Sequence, residues 1–178
     1  MMIVIGVDPS IQSTGIYINK PCDVKDQYHL ICSKPTKKLL ACPLVTCHKY
    51  DYLPPDGDFM EKERRKTWNV CQIISIYKEI LIDVMPDYCV IEAIAMSAAG
   101  RIDALAMLNG GMRYVNHTMG IPIYAVPPTS NKLQFTGNGQ APKEVMVESW
   151  KRMDPRMMQV SGKVDDLADA YALANFPV

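Results

Sequence analysis

Short apolar runs and longer helical stretches take turns along this chain. Ile3-Val-Ile-Gly-Val7 is a run of the kind that forms a buried strand, and a carboxylate, Asp8, stands at its end. Ile11 to Asn19 reads as a turn and a second strand, and Tyr28 to Ser33 as a third. Residues 34–60 hold Lys34, Lys37 and Lys38 and then Leu53-Pro-Pro-Asp-Gly-Asp58, which predicts an extra strand followed by an exposed loop. From Glu61 to Val84 the apolar positions Ile73, Tyr77, Ile80 and Val84 follow helical spacing, and Pro86 ends the helix. Tyr88-Cys-Val-Ile-Glu-Ala-Ile94 is apolar except for Glu92, as expected of a buried central strand. A second helix is predicted over Ile102–Met119, stopped by Gly120, then a strand over Ile121–Val126 closed by Pro127-Pro128. A loop from Thr129 to Pro142 and helices over Lys143–Arg152 and Val164–Phe176 complete the pattern.

This order predicts an α/β fold: a mixed sheet that begins with an antiparallel hairpin and is flanked by helices. The 178 residues suit a single domain, 1–178, with room for a substantial core. No internal repeat or low-complexity tract interrupts it.

Three acidic features stand out against the apolar pattern: Asp8, Glu92, and the group Asp165, Asp166 and Asp169. Asp8 taken alone reads equally well as a turn residue bonding its own backbone, and Asp165 or Asp166 as a helix cap. Glu92 within Cys-Val-Ile-Glu-Ala-Ile and Asp169 within Leu-Ala-Asp-Ala-Tyr-Ala-Leu-Ala are harder to place, because a buried carboxylate is costly unless a cation or proton compensates it. A magnesium site needs oxygen ligands converging from several elements, and two such ions can serve phosphodiester cleavage. Asp166 and Asp169 share a helix face at i, i+3, but Asp165 and Asp169 do so at i, i+4, so spacing leaves that choice open.

With these residues in view, the chain resembles a known family. Ile5-Gly-Val-Asp-Pro-Ser10 with Thr14-Gly15, then Pro86-Asp-Tyr-Cys-Val-Ile-Glu92, then Asp166-Leu-Ala-Asp169-Ala170 is similar to the RuvC family of Holliday-junction resolvases. Val126-Pro-Pro-Thr129 with Lys132, and Thr136-Gly-Asn-Gly-Gln-Ala-Pro-Lys143, resemble the RuvC-like proteins carried by bacteriophages. Lys163-Val-Asp-Asp-Leu-Ala-Asp169 is also similar to the poxvirus resolvases. The resemblance implies an RNase H-like fold and a homodimer that nicks two strands of branched DNA with Mg2+, or Mn2+ in its place. It implies Asp8, Glu92, Asp166 and Asp169 as metal ligands and Lys132 and Lys143 as lysines near the scissile phosphate, where they would offset phosphate charge. The bacterial enzymes carry an aromatic wedge after the strand glutamate. Here Ala93-Ile-Ala-Met96 has none and Met96 is the nearest bulky residue, so activity on forks and flaps is expected beside four-way junctions.

Composition changes this picture little. Lys+Arg and Asp+Glu are both 19, so any DNA contact rests on a local basic surface and not on net charge. With no run of eighteen apolar residues and no export signal, the expectation is no membrane association and an intracellular place, the host-cell cytoplasm if the source is viral. Cys42, Cys47 and His48, with Cys22 or Cys32 as a fourth ligand, are a candidate zinc cluster. Their spacing lacks a C-x2-C pair and favours reduced thiols. Glu61-Lys-Glu-Arg-Arg-Lys66 reads as a solvated helix start or as a DNA-backbone contact with Lys34, Lys37 and Lys38. Met107, Leu108, Met112 and Val115 read as core or a dimer face, with Gly110-Gly111 admitting a close neighbour. Gly137 and Gly139 read as a tight loop, and Trp68 and Trp150 as packing residues. Rival readings are an actin-like ATPase or kinase fragment, since Asp8-Pro-Ser-Ile-Gln-Ser-Thr-Gly15 looks like a first phosphate loop, and a junction-binding scaffold without catalysis.

Overall fold

The computed structural model describes residues 2–20, 27–94, 102–162 and 164–178. Met96, Cys22 and Lys163 lie outside the described residues. Among the described residues, six strands form one sheet in the order β4-β3-β2-β1-β5-β6. They are β1 (Val4–Asp8), β2 (Ser13–Asn19), β3 (Tyr28–Cys32), β4 (Val45–Lys49), β5 (Tyr88–Glu92) and β6 (Ile123–Val126). β1–β2 and β2–β3 pair antiparallel, while β1–β5, β5–β6 and β3–β4 pair parallel. The helices are α1 (Lys37–Leu40), α2 (Phe59–Val84), α3 (Ile102–Thr118), α4 (Pro128–Thr136), α5 (Lys143–Met153) and α6 (Asp165–Ala174).

The period of two in the strands sorts side chains onto two faces. Ile5, Val7, Ile16, Ile18, Ile31, Cys89 and Ile91 join residues of α2 and α3 in one apolar cluster. Val4, Tyr17, Tyr28, Leu30, Val90 and Val126 join Trp150 of α5 and Leu167, Ala168, Ala170 and Leu173 of α6 in the other. A satisfied polar group ties α5 to the sheet: Trp150 Nε1 donates to the Tyr28 hydroxyl (3.0 Å), which donates to Asp154 Oδ2 (2.8 Å). Two glycines let α6 lie directly on the strands. A Cβ on Gly6 would stand 2.0 Å from the Ala170 carbonyl oxygen, and one on Gly15 would stand 2.0 Å from that of Asp166.

Several expectations need correction. Thr129–Pro142 is not all loop: α4 occupies Pro128–Thr136, with Pro128 opening its first turn and Gly137 (φ 78°) closing it in the left-handed region. Its Thr, Ser and Asn residues have little intrinsic helix preference, so packing against α5 and α6 supplies what the sequence pattern lacks. The strand β5 ends at Glu92 instead of running on to Ile94, so the carboxylate sits at a strand end and not in its middle. Residues 34–60 hold the short α1 before the expected strand β4. A 3-10 turn, Pro155–Gln159, was not foreshadowed.

The zinc reading fails for a geometric reason. Cys47 and His48 are successive residues of β4 and point to opposite faces: Cys47 packs with the α5–α6 cluster, while the His48 ring stacks on His29 at 5.2 Å. Cys32, Cys42 and Cys47 are free thiols, and no three metal-binding side chains form a cage among the described residues. Trp150 is fully buried as expected, but Trp68 is 51% exposed. Leu108, Met112 and Val115 are core, Met107 is exposed, and Gly111 meets Ile74 of α2, as a close helix approach requires. No helix among the described residues is long and apolar enough to cross a membrane.

Candidate active site

The parallel register of β1 and β5 pairs Val7 with Ile91, so the next step along both strands sets Asp8 beside Glu92 at the carboxyl end of the sheet. The antiparallel register pairs Asp8 with Gly15, and the missing side chain at Gly15 admits the first turn of α6. That turn brings Asp165 and Asp166, 8% and 7% exposed, over the strand ends, with Asp169 one turn on. Thr14 closes the hairpin after Asp8, its hydroxyl donating to the Ser10 carbonyl at 2.7 Å. Glycines within strands are the signal in the sequence for such close approach.

The register and the close approach of α6 leave these acids near enough for their charges to act on one another. Burial raises the Asp8 carboxyl well above the usual carboxylate range, and the charges of Glu92, Asp169 and Asp166 raise it further, against a smaller opposing pull from Lys143. Burial, then Asp169, lift Glu92 to about 7, with Lys132 and Lys143 pulling the other way. Asp169 is raised to about 6, again by burial first. One oxygen of Asp169, Oδ1, is buried with no hydrogen-bond partner among the described residues. Asp8, Glu92 and Asp169 are thus held where the lysines only partly offset burial and like charge, a condition that a cation relieves.

The structure separates the two adjacent aspartates. Asp165 forms an ion pair with Lys143 of α5; its charge acts on Asp169, as that of Asp166 does, but only the charge of Asp166 acts also on Asp8 and Glu92. Lys132 of α4 and Lys143 of α5 both border the pocket, since their charges bear on Glu92 and Asp169. Two buried asparagines that carried no sequence signal hold its walls. Asn109 of α3 donates to the Glu92 carbonyl at 2.8 Å, and Asn131 of α4 donates to the Asp169 carbonyl at 3.4 Å. Among the described residues, no three metal-binding side chains are already drawn tightly around one point. Mutually repelling carboxylates stand apart, and an ion would draw them in.

The basic start of α2 plays another part. Arg64 and Arg65 pair with Glu61, and Lys66 pairs with Glu63 and Asp103, so these cations serve the chain's own acids on a solvated helix face.

The raised acids predict a stability trend in chelator. Between about pH 4 and 7 the folded chain binds more protons at Glu92 and Asp169 than the unfolded chain does, so stability falls as pH rises through this range. The loss at Glu92 is on the order of 3 kcal/mol. His48, whose pKa burial lowers, works in the opposite direction, so the comparison is made against Glu92→Gln. Urea unfolding at pH 5 and 8 should show a stability gap between Glu92→Gln and wild type that widens at pH 8. A constant gap would contradict the pocket's electrostatics.

A six-stranded mixed sheet that opens with an antiparallel hairpin and carries helices on both faces is an RNase H-like fold. Among solved structures, the chain is similar to Thermus thermophilus RuvC in complex with a Holliday junction substrate. That match has a TM-score of 0.63 at 20% identity and covers 98% of this chain and 91% of that one. It is similar also to T. thermophilus RuvC alone (0.62, 19%, covering 97% and 91%) and to the Holliday junction resolvase of yeast mitochondria (0.54, 12%, covering 96% and 75%). The fold is therefore that of RuvC. No family model matches the chain, and no curated protein matches it in sequence.

Proposed function

We propose that this chain is a metal-dependent, structure-selective DNA endonuclease that resolves Holliday junctions, and acts on other branched DNA, by paired nicks. The observation that carries the reading is the convergence of Asp8, Glu92, Asp166 and Asp169 in one pocket of a RuvC fold, with two lysines at its edge. These four acids would hold Mg2+, or Mn2+ in its place, and Asp165, paired with Lys143, would not. Bound there, divalent ions supply Lewis-acid charge and lower the pKa of a coordinated water. The all-oxygen donor set and the unsatisfied Asp169 oxygen fit such an ion.

The protein's own residues do the rest. The pocket holds the phosphodiester against the strand ends. Lys132 and Lys143 lie where they offset phosphate charge and the charge that grows on its oxygens as the bond breaks, leaving a 5′-phosphate and a 3′-hydroxyl. Asn109 and Asn131 hold the backbone of Glu92 and Asp169 so that neither acid drifts when the charge distribution changes. One pocket per chain makes one nick, so symmetric resolution requires a homodimer whose two-fold axis matches that of the junction.

The test is incubation of labelled four-way junction, fork and duplex DNA with Mg2+ or with chelator. Symmetric nicks in the junction, weaker cutting of forks, intact duplex and silence in chelator are expected. ATP hydrolysis without nicking would favour the actin-like alternative, and tight junction binding without nicking the scaffold. Lys132→Ala should lower the single-turnover rate roughly 10²-fold and reduce the salt dependence of binding by about one counterion. An unchanged rate would remove this lysine from the site.

A further inference from the structure

The carboxyl ends of β1, β3, β4 and β5 all lie at the end of the sheet that carries the acids. Between the β1–β2 turn and the segment after β3 lies a cavity of about 350 Å³, within the range of small-ligand clefts. It is lined by the apolar Leu30 and Leu39 and by Gln12, Cys32, Lys34 and Tyr52. Ser13 and Cys32, a register pair of β2 and β3, line the cavity two residues along β2 from Gly15, which pairs with Asp8 and meets the Asp166 backbone. A second cavity of about 270 Å³ shares Gln12 and Tyr52, so these two residues line both.

Tyr52 is held in place by its neighbours. Gln72 of α2 accepts from the Asp51 amide (3.2 Å) and donates to the Asp51 carbonyl (2.9 Å). One helical turn away, Asn69 does the same for Leu53, at 2.9 and 2.8 Å. The two amides grip the backbone on either side of Tyr52 as a paired strand would. The Tyr50 ring meets the Tyr52 ring edge-on at 6.5 Å, and the Tyr50 hydroxyl donates to the Ile11 carbonyl in the hairpin that follows Asp8. An aromatic ring fixed in this way offers stacking area with little ordering cost.

We propose that the cavity walled by Gln12, Lys34 and Tyr52 is a subsite for a single unpaired nucleotide of branched DNA, its base stacked on Tyr52 and its phosphate facing Lys34. The inference rests on the nuclease reading and adds to it a basis for choosing branched over fully paired DNA, because a base held in a duplex cannot enter the cavity. Aromatic faces accept any base, so the subsite selects unpaired structure and not sequence.

The test uses the full chain in chelator, with forks carrying 2-aminopurine at successive positions beside the branch. One position should change its fluorescence on binding the wild-type protein. Tyr52→Leu, which keeps apolar bulk but has no aromatic face, should remove that signal and weaken fork binding about tenfold. Duplex binding should not change, and Tyr52→Phe should bind forks within about twofold of wild type. Should Tyr52→Leu fail to fold, the wild-type signal still decides: no responding position overturns the subsite. A folded Tyr52→Leu protein that binds forks like wild type overturns it too. Wild-type protein that neither binds nor nicks branched DNA overturns the nuclease reading instead.

Discussion

Asp169→Asn should lower junction cleavage by about 10³-fold or more while leaving junction affinity in chelator within about twofold. Asn has the same shape as Asp, so α6 keeps its packing on β1 and β2, and the DNA contacts outside the pocket are untouched. What disappears is one negative oxygen aimed into a pocket where burial and like charge already lift the remaining acids. Ion affinity and the field at the scissile phosphate both depend on that charge, so the loss falls on the chemical step. Folded stability in chelator should rise, because one member of a repelling group has been neutralised. The measurement is single-turnover cleavage of a labelled junction over a range of Mg2+ concentrations, paired with a binding titration. Normal cleavage by the Asn protein would remove Asp169 from the site.

The second large effect concerns a residue with no chemistry of its own. Gly6→Ala should destabilise the fold by about 3 kcal/mol or more and reduce cleavage in parallel. The added methyl would stand 2.0 Å from the Ala170 carbonyl oxygen and 2.5 Å from the Ala174 amide nitrogen. Both are helix backbone and cannot swing aside, so α6 must lift from the sheet and carry Asp166 and Asp169 with it. The control is Gly110→Ala on α3, where nothing stands within 4 Å of the added carbon. There, alanine should stabilise by about 0.5–1 kcal/mol through helix propensity. Urea unfolding of the two variants separates steric exclusion from a general cost of replacing glycine. Equal stability of Gly6→Ala and wild type would mean that α6 does not rest on β1 as described.

The two glycines also show what kind of information the chain carries openly. Gly6 and Gly15 are visible as breaks in apolar strands, but which helix they admit depends on residues about 150 positions away. The strand that ends in Asp8, the apolar run before Glu92 and the helical spacing of Ile73, Tyr77 and Ile80 were legible because each is a local pattern with one dominant period. The helix α4 was not, since Thr129, Ser130 and Asn131 give no apolar stripe and gain their order from α5 and α6. Cys47 and His48 looked like neighbours for one ion because sequence proximity hides the alternation of a strand. Asn69 and Gln72 passed unnoticed for the opposite reason: on an α2 read for its apolar face, two amides that grip a distant loop look like solvated positions.

The sequence by itself determined the α/β order of elements and the opening hairpin, and it marked Glu92 and Asp169 as acids out of keeping with their apolar surroundings, since local periodicity and the cost of a carboxylate among apolar residues are properties of short segments. Only the tertiary structure decided that Asp165 pairs with Lys143 while the charge of Asp166 acts on Asp8 and Glu92, that α4 is a helix, and that Gln12 and Tyr52 line two neighbouring cavities. Those outcomes depend on strand register and on how closely a helix approaches a sheet, which are set by contacts between residues far apart in the chain.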